Sequence, residues 1–416
     1  MNGVSRRTLS GIFLLKIGAG IAMWALYTYY YTDRAVADIF KFFDDSKVMY
    51  DALWKEPGDY FKMLFGYQND NEYFNKNYYR VMMNWYREYE SSVKNDAHTL
   101  IRFNAVVRLF SFGHYNVHTV FLCFLSLTGL TAIFKVFYSK AQSPLVVGAV
   151  FLIPSVLFWG SGVLKEGLLF FGLGIIVLNY FKILESRLKL TEIILTMFCL
   201  LLVFYLKFYV LAVMLISMIA YAWARKEIGS KVLIKYAVVS AAIIALGLNL
   251  HHIIPGYNIL ELLAVKQKDF IGMTTAVEAG SLIKVTKLEP NFWGFIKNAP
   301  EALYHSLCEP WFFTSTKPFI VLAGLENLFM LLCAVAALVF FRKKWKDTDQ
   351  PLVLFCLFFV IQLFLLIGWT TVVSGAIVRY KIPGTPFLFF MLILMLDMDK
   401  VRRRFSIIAS PKKELQ

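Results

Sequence analysis

Apolar residues fill long stretches of this chain and polar residues gather between them. A helix crossing a hydrocarbon core of roughly 30 Å needs about 20 predominantly apolar residues. Stretches of this kind lie at 11–31, 117–137, 143–160, 163–181, 191–206, 208–224, 233–249, 319–341, 351–370 and 376–396. The pattern predicts an all-α protein, a polytopic transmembrane helical bundle of about ten spans, with residues 1–416 forming a single integral-membrane domain. Arg6 and Arg7 precede the first stretch as in a signal peptide, but Met23-Trp24-Ala25-Leu26-Tyr27 is too bulky for a small-residue cleavage site, so this helix is expected to be retained. Two long segments, 32–116 and 250–318, interrupt the apolar pattern. In the first, Trp54, Phe61, Phe65, Tyr78, Tyr79, Trp85, Tyr86 and Tyr89 recur among polar residues at roughly helical spacing, which predicts helices lying in the membrane interface. The second is punctuated by Pro255-Gly256, Gly280-Ser281, Pro290, Pro300 and Pro310 and should be irregular, with short helical pieces.

Composition agrees: 58% of residues are hydrophobic and only 17% are charged, which excludes an ordinary cytosolic enzyme. A net charge of +15 would suggest nucleic acid on a folded soluble surface, but its distribution points elsewhere. With the N-terminus in the cytoplasm, the inner segments hold 21 of the 43 Lys and Arg residues against 8 acids, whereas both long loops are close to neutral. Arg342-Lys343-Lys344-Trp345-Lys346 and Arg402-Arg403-Arg404 are the clearest members of this positive-inside pattern. It places the chain in a bacterial-type inner membrane with both termini cytoplasmic and the two long loops outside. The cysteines, Cys123, Cys199, Cys308, Cys333 and Cys356, encode no disulfide framework.

The chemistry-bearing residues collect toward the outer side. Ionisable groups cost about 2.5–3.5 kcal/mol each at a span centre, so those beside spans need a reason. Lys165 and Glu166 follow Trp159-Gly160-Ser161-Gly162, a tight reversal before a helix start whose free N–H groups and lysine could seat a phosphate; the alternative is that the two side chains pair or snorkel. Lys207 sits in the turn between 191–206 and 208–224. Arg379 and Tyr380 open the last span, where a guanidinium fork can hold two phosphate oxygens and the phenol adds a hydrogen bond; Lys381 suits an interfacial anchor.

Acids follow the first span. Asp38 is flanked by apolar residues and is the leading candidate for a general base, with Asp44 and Asp45 as alternatives that, before Ser46, also read as a helix N-cap. Asp33 reads as a solvated partner of Arg34. Arg102 and Asn104 either complete the wall of a cleft or form a structural bridge. His114 and His118, four apart, have metal-holding spacing, but no third ligand accompanies them; no metal site is assigned, His118 is kept as a substrate-side candidate, and a divalent cation is left open.

An acid-bearing first outer loop with interfacial helices, many short hairpins and a late outer loop resembles the GT-C class of integral-membrane glycosyltransferases. The stretches Trp159-Gly160-Ser161-Gly162-Val163-Leu164-Lys165-Glu166 and Arg379-Tyr380-Lys381-Ile382-Pro383 are also similar to bacterial envelope-polysaccharide proteins and repeat-unit polymerases. The resemblance implies a polyprenyl-phosphate-linked sugar donor, a glycan or lipid-linked acceptor, and an acidic motif mapping onto Asp38 or the Asp44-Asp45 pair. Three other readings compete with it: a repeat-unit polysaccharide polymerase; a transporter or flippase of lipid-linked glycans, which the one-sided placement of charge and the absence of a convincing internal repeat disfavour; and a non-catalytic envelope-assembly subunit.

Overall fold

A computed structural model describes residues 3–86, 95–276, 281–342 and 348–409. The basic residues Lys343, Lys344 and Lys346 and the aromatic Tyr89 lie outside the described residues. The protein is 77% helix, with two isolated β-bridges among the described residues, Leu282 with Val373 and Phe341 with Leu396.

In chain order the helices are α1 (Arg6–Tyr29), α2 (Asp38–Lys55), α3 (Pro57–Phe65), α4 (Glu72–Asn77), α5 (Ala97–Ser111), α6 (Tyr115–Ala141), α7 (Leu145–Val147), α8 (Pro154–Trp159), α9 (Lys165–Glu185), α10 (Leu190–Ala224) and α11 (Ser230–Leu248). They continue as α12 (Ile259–Ala276), α13 (Phe292–Cys308), α14 (Pro318–Val339), α15 (Gln350–Thr370), α16 (Ser374–Lys381), α17 (Thr385–Met395) and α18 (Met398–Ala409). Seven of them (α1, α6, α9, α10, α11, α14 and α15) are long and apolar enough to cross a membrane; α16 and α17, bent by 64° at their junction, make an eighth if they form one span. This is the construction of a multi-pass membrane protein, since apolar helices are how a chain satisfies its backbone polar groups in lipid.

The observed elements differ from the ten apolar stretches in three places. Residues 376–396 divide into α16 and α17. Residues 143–160 divide into α7, a π-helical turn at Gly148–Leu152 and α8. The stretches on either side of Lys207 lie in one element, α10, with Lys207 alone outside helical geometry (φ −154°, ψ 79°). Side-chain contacts show what that break does. Asn179 of α9 donates to Glu192 O at 3.3 Å, and its neighbour Tyr180 donates to Met218 O at 2.5 Å. A straight helix would hold residues 192 and 218 about 39 Å apart at 1.5 Å per residue, so the two arms of α10 double back at Lys207 and both lie along α9. The tight turn expected at Lys207 is therefore present. No proline or glycine makes it.

The scaffold is centred on α6 and α9, which run parallel in backbone contact. A Cβ on Gly129 would lie 1.9 Å from Phe170 O, and one on Gly174 would lie 2.0 Å from Gly129 O. Small residues let helices in lipid approach this closely, where dispersion and weak backbone contacts replace the missing hydrophobic drive. This packing fixes the start of α9, and with it Lys165 and Glu166, at the end of the bundle where both long loops lie. α1 packs antiparallel to α6 and reaches the same end; its buried Lys16 donates to Gly160 O at 3.0 Å, holding the turn that leads into α9.

The first long loop folds over this end as α2, α3, α4 and α5. Its apolar residues, among them Phe40, Phe42, Met49, Tyr60, Phe74, Leu100 and Ile101, share one core with Met23 of α1, Leu122 of α6, Leu168 of α9 and Leu206 of α10. Arg108 of α5 ties it to α2 by donating to Phe43 O at 2.6 Å and Ser46 Oγ at 2.8 Å, with its guanidinium 4.0 Å from the Phe43 ring centroid. Burial pulls the Arg108 guanidinium down to about 10.

Candidate functional site

Four distant segments converge at the loop end. α9 begins after an extended Leu164, so its first turn projects Lys165 and Glu166 from the bundle centre. The break in α10 aims Lys207 at the same point, and α16 brings Arg379 and Tyr380 across the top. The N-terminal residue of α2, Asp38, closes the ring from the loop layer. Arg379 Nε donates to Glu166 Oε1 at 2.8 Å and Nη2 to Oε2 at 3.3 Å, the bidentate arrangement that suits a guanidinium to a carboxylate. Its remaining arm, Nη1, donates to Asp38 Oδ2 at 2.9 Å. Lys207 Nζ reaches Glu166 Oε1 at 3.2 Å and lies 4.4 Å from the Tyr380 ring centroid. Lys165 Nζ pairs with Asp96 Oδ1 at 2.7 Å and lies 5.1 Å from the Phe42 ring centroid.

Arg379, Lys207, Glu166 and Asp38 form one network and Lys165 with Asp96 a neighbouring pair, three cations and three carboxylates in all, so their charges balance. Burial grades sharply across it. The Glu166 side chain is 0% exposed and that of Arg379 14%, while that of Asp38 is 45% exposed. Glu166 is thus the fixed anchor of the guanidinium and Asp38 is its partner at the mouth. Burial acts to raise the Asp38 carboxyl, but Arg379 and Lys165 more than offset this and leave it below its ordinary value. Aromatic rings frame the group: Trp159, the last residue of α8, lies 5.8 Å from the Arg379 guanidinium, and Tyr27 and Tyr209 sit within electrostatic range of it.

The structure separates the sequence-derived candidates. Asp38, Lys165, Glu166, Lys207, Arg379 and Tyr380 come together. Asp44 and Asp45 do not join them, and they do not cap a helix: both lie inside α2, one to two turns beyond its start. Asp44 pairs with Arg34 at 2.6 Å, and Asp45 accepts from the backbone N–H groups of Met83 and Asn84, each at 2.7 Å. Burial nevertheless leaves the Asp45 carboxyl above its ordinary value, because two backbone donors only partly offset desolvation. Asp33 accepts from Ala35 N at 3.0 Å, while its neighbour Arg34 turns to Asp44.

Arg102 donates to Met63 O at 2.9 Å and lies over Trp85, so it braces the loop layer. His118 is fully buried between Ser111 Oγ at 2.8 Å and Asn104 Oδ1 at 2.7 Å, which occupies both ring nitrogens in framework bonds. Lys381, expected as an interfacial anchor, is 1% exposed and points into protein. Asp96 was not singled out in the sequence because an acid just before a helix reads as a cap; here its side chain makes no cap hydrogen bond and reaches Lys165 instead. Among the described residues, no group of three or more His, Cys, Asp or Glu side chains stands together as a metal-holding set. Comparison with protein-family models, curated proteins and solved structures gave no match.

A second polar cluster lies on α13. His305 contacts Glu309 at 2.8 Å and Glu301 at 3.3 Å, and Glu301 also accepts from Thr286 N and Oγ1. Burial acts to lower the His305 value, but the two glutamates outweigh it and raise the imidazole above its ordinary range. The stabilisation this gives is complete below the unfolded value of roughly 6.5 and is lost as pH rises through the higher folded value. Thermal midpoints measured across that interval should therefore fall with rising pH, and His305→Gln should flatten that part of the profile. An unchanged slope in the variant would remove His305 as its source.

Proposed function

We propose that the protein is a membrane glycosyltransferase of the GT-C type, moving a sugar from a polyprenyl-phosphate-linked donor to a glycan or lipid-linked acceptor on the extracytoplasmic face of a bacterial inner membrane. In this reading the chain spans the membrane about ten times: the two arms of α10 count separately, and residues 143–160 and the α16–α17 pair each make a span. Both termini are then cytoplasmic.

The observation that carries the proposal is the graded pairing of Arg379, whose guanidinium is held by the buried Glu166 and shared with the half-exposed Asp38. An anionic headgroup arriving at the mouth competes for the Nη1 arm, while the bidentate Glu166 contact stays. The donor phosphate then lies against Arg379 and Lys165, and Asp38 is released toward the acceptor. The acceptor hydroxyl oxygen attacks the anomeric carbon, and the bond from that carbon to the phosphate oxygen breaks. The phosphate leaves with the electron pair, and the hydroxyl proton passes to Asp38. Charge developing on the phosphate is offset by cations already fixed in place, which is where preorganised electrostatics contribute most. Tyr380 and Lys207 stand behind Arg379 and keep its setting.

The test is direct. The full-length chain in liposomes, supplied with polyprenyl phosphate carrying a labelled sugar and with envelope glycan acceptors, should move label from the lipid to the acceptor. Label that stays on the donor lipid with every acceptor class, or crosses the bilayer unaltered, would overturn the assignment. The second outcome would favour transport.

A further inference from the structure

α14 is the least buried of the seven long apolar helices, yet it carries two polar residues side by side, Glu326 and Asn327. Polar groups within a span persist only where they make specific contacts, and these two reach in different directions. Asn327 Oδ1 accepts from Lys381 Nζ at 2.6 Å, while its Nδ2 donates to Cys308 O at 3.3 Å and Pro310 O at 2.9 Å. Lys381 Nζ also donates to Ser306 O at 3.3 Å, in the last turn of α13. Glu326 accepts from Ser155 N at 2.7 Å and Ser155 Oγ at 2.5 Å, at the start of α8.

Both elements so gripped frame the same guanidinium. α16 carries Arg379 two residues before Lys381; at about 100° per residue the two side chains leave the helix on nearly opposite faces, Arg379 toward Glu166 and Lys381 toward α14. α16 has no side-chain N-cap and meets α17 at 64°; its start is tied to the second long loop by Ser374 N donating to Ser281 O at 3.0 Å, and the Lys381 side chain adds a hold at its other end. α8 ends at Trp159, the ring beside Arg379. We propose that Glu326 and Asn327 act as a two-pronged bracket, with Lys381 as its counterpart on α16, and that these are positioning residues: they set the rotation of α16 and the seat of Trp159 so that one arm of Arg379 holds Asp38 at the mouth of the site. None of the three touches the charged cluster itself.

The bracket can be tested without substrate or turnover, so its outcome is independent of whether the chain transfers sugar. The full-length protein in detergent is treated with a carbodiimide, which modifies carboxyl groups that take up a proton, and labelling of the peptides holding Asp38 and Asp44 is followed by mass spectrometry. Arg379→Gln gives the reference for a released Asp38. Lys381→Met and Asn327→Leu should each raise Asp38 labelling severalfold toward that reference, with Asp44, held by Arg34, unchanged. Lys381→Arg should restore protection. Where either variant fails to fold, Glu326→Gln, which keeps the side-chain shape, carries the same expectation through α8. Folded variants with Asp38 labelled as in the parent, or with Asp38 and Asp44 rising together, would overturn the bracket.

Discussion

Glu166→Gln should lose about 3–5 kcal/mol of stability, the usual consequence of removing one partner of a buried ion pair and leaving the other charge uncompensated. Glu166 is fully buried and accepts from both Arg379 and Lys207, and Lys207 stands at the single non-helical residue about which α10 doubles back. Taking the charge away leaves two largely buried cations close together, with Asp38 at the rim as the remaining carboxylate on Arg379. The same reasoning gives a compensating change: Glu166→Gln with Lys207→Met should recover part of the loss, because the double variant removes an unpaired cation as well as its partner. Thermal unfolding in detergent checks both. A single variant as stable as the parent would mean that water or lipid headgroups already screen the cluster.

Asp38→Asn should behave in the opposite way. Its side chain is 45% exposed and its ion pair with Arg379 lies at the mouth, so the stability change should stay within the roughly 0–1 kcal/mol typical of exposed pairs. The amide keeps the shape but cannot accept the acceptor's proton, and loss of a general base typically costs 10²–10⁴-fold in rate. Sugar transfer should fall by about that factor while protein level, membrane insertion and unfolding midpoint stay close to the parent. Full transfer by Asp38→Asn would remove Asp38 as the base.

The charge geography was legible in the sequence because cations and acids beside apolar spans have few places to go. Lys165, Glu166, Lys207 and Arg379 each lie at a span end on one side of the charge pattern, and the structure brings them together. What the sequence hid was partnership. Asp96 looks like a cap, and Tyr27 and Tyr209 look like any interfacial tyrosine, because the residue type does not reveal which distant helix it faces. Arg102, His118, Asp44 and Asp45 carry the same chemistry as the site residues, but the loop layer engages them with its own groups: a backbone carbonyl for Arg102, a hydroxyl and an amide for His118, the Arg34 guanidinium for Asp44 and backbone N–H groups for Asp45. Lys381 reads as an anchor because a lysine near a span end usually snorkels; its burial follows from the bend between α16 and α17, where Pro383, Gly384 and Pro386 break a stretch that its hydropathy alone reads as one span. The turn at Lys207 is legible only as a lysine between two apolar stretches, since neither proline nor glycine makes it.

In the proposed mechanism an anionic lipid headgroup takes the arm of Arg379 that Asp38 holds. A structure of the full-length protein in a lipid nanodisc saturated with polyprenyl phosphate measures this most directly. The account predicts the phosphate within hydrogen-bond distance of Arg379 Nη1, with Asp38 turned away and the bidentate Glu166 contact retained. Phosphate bound elsewhere while the Arg379–Asp38 pair stays closed would contradict it.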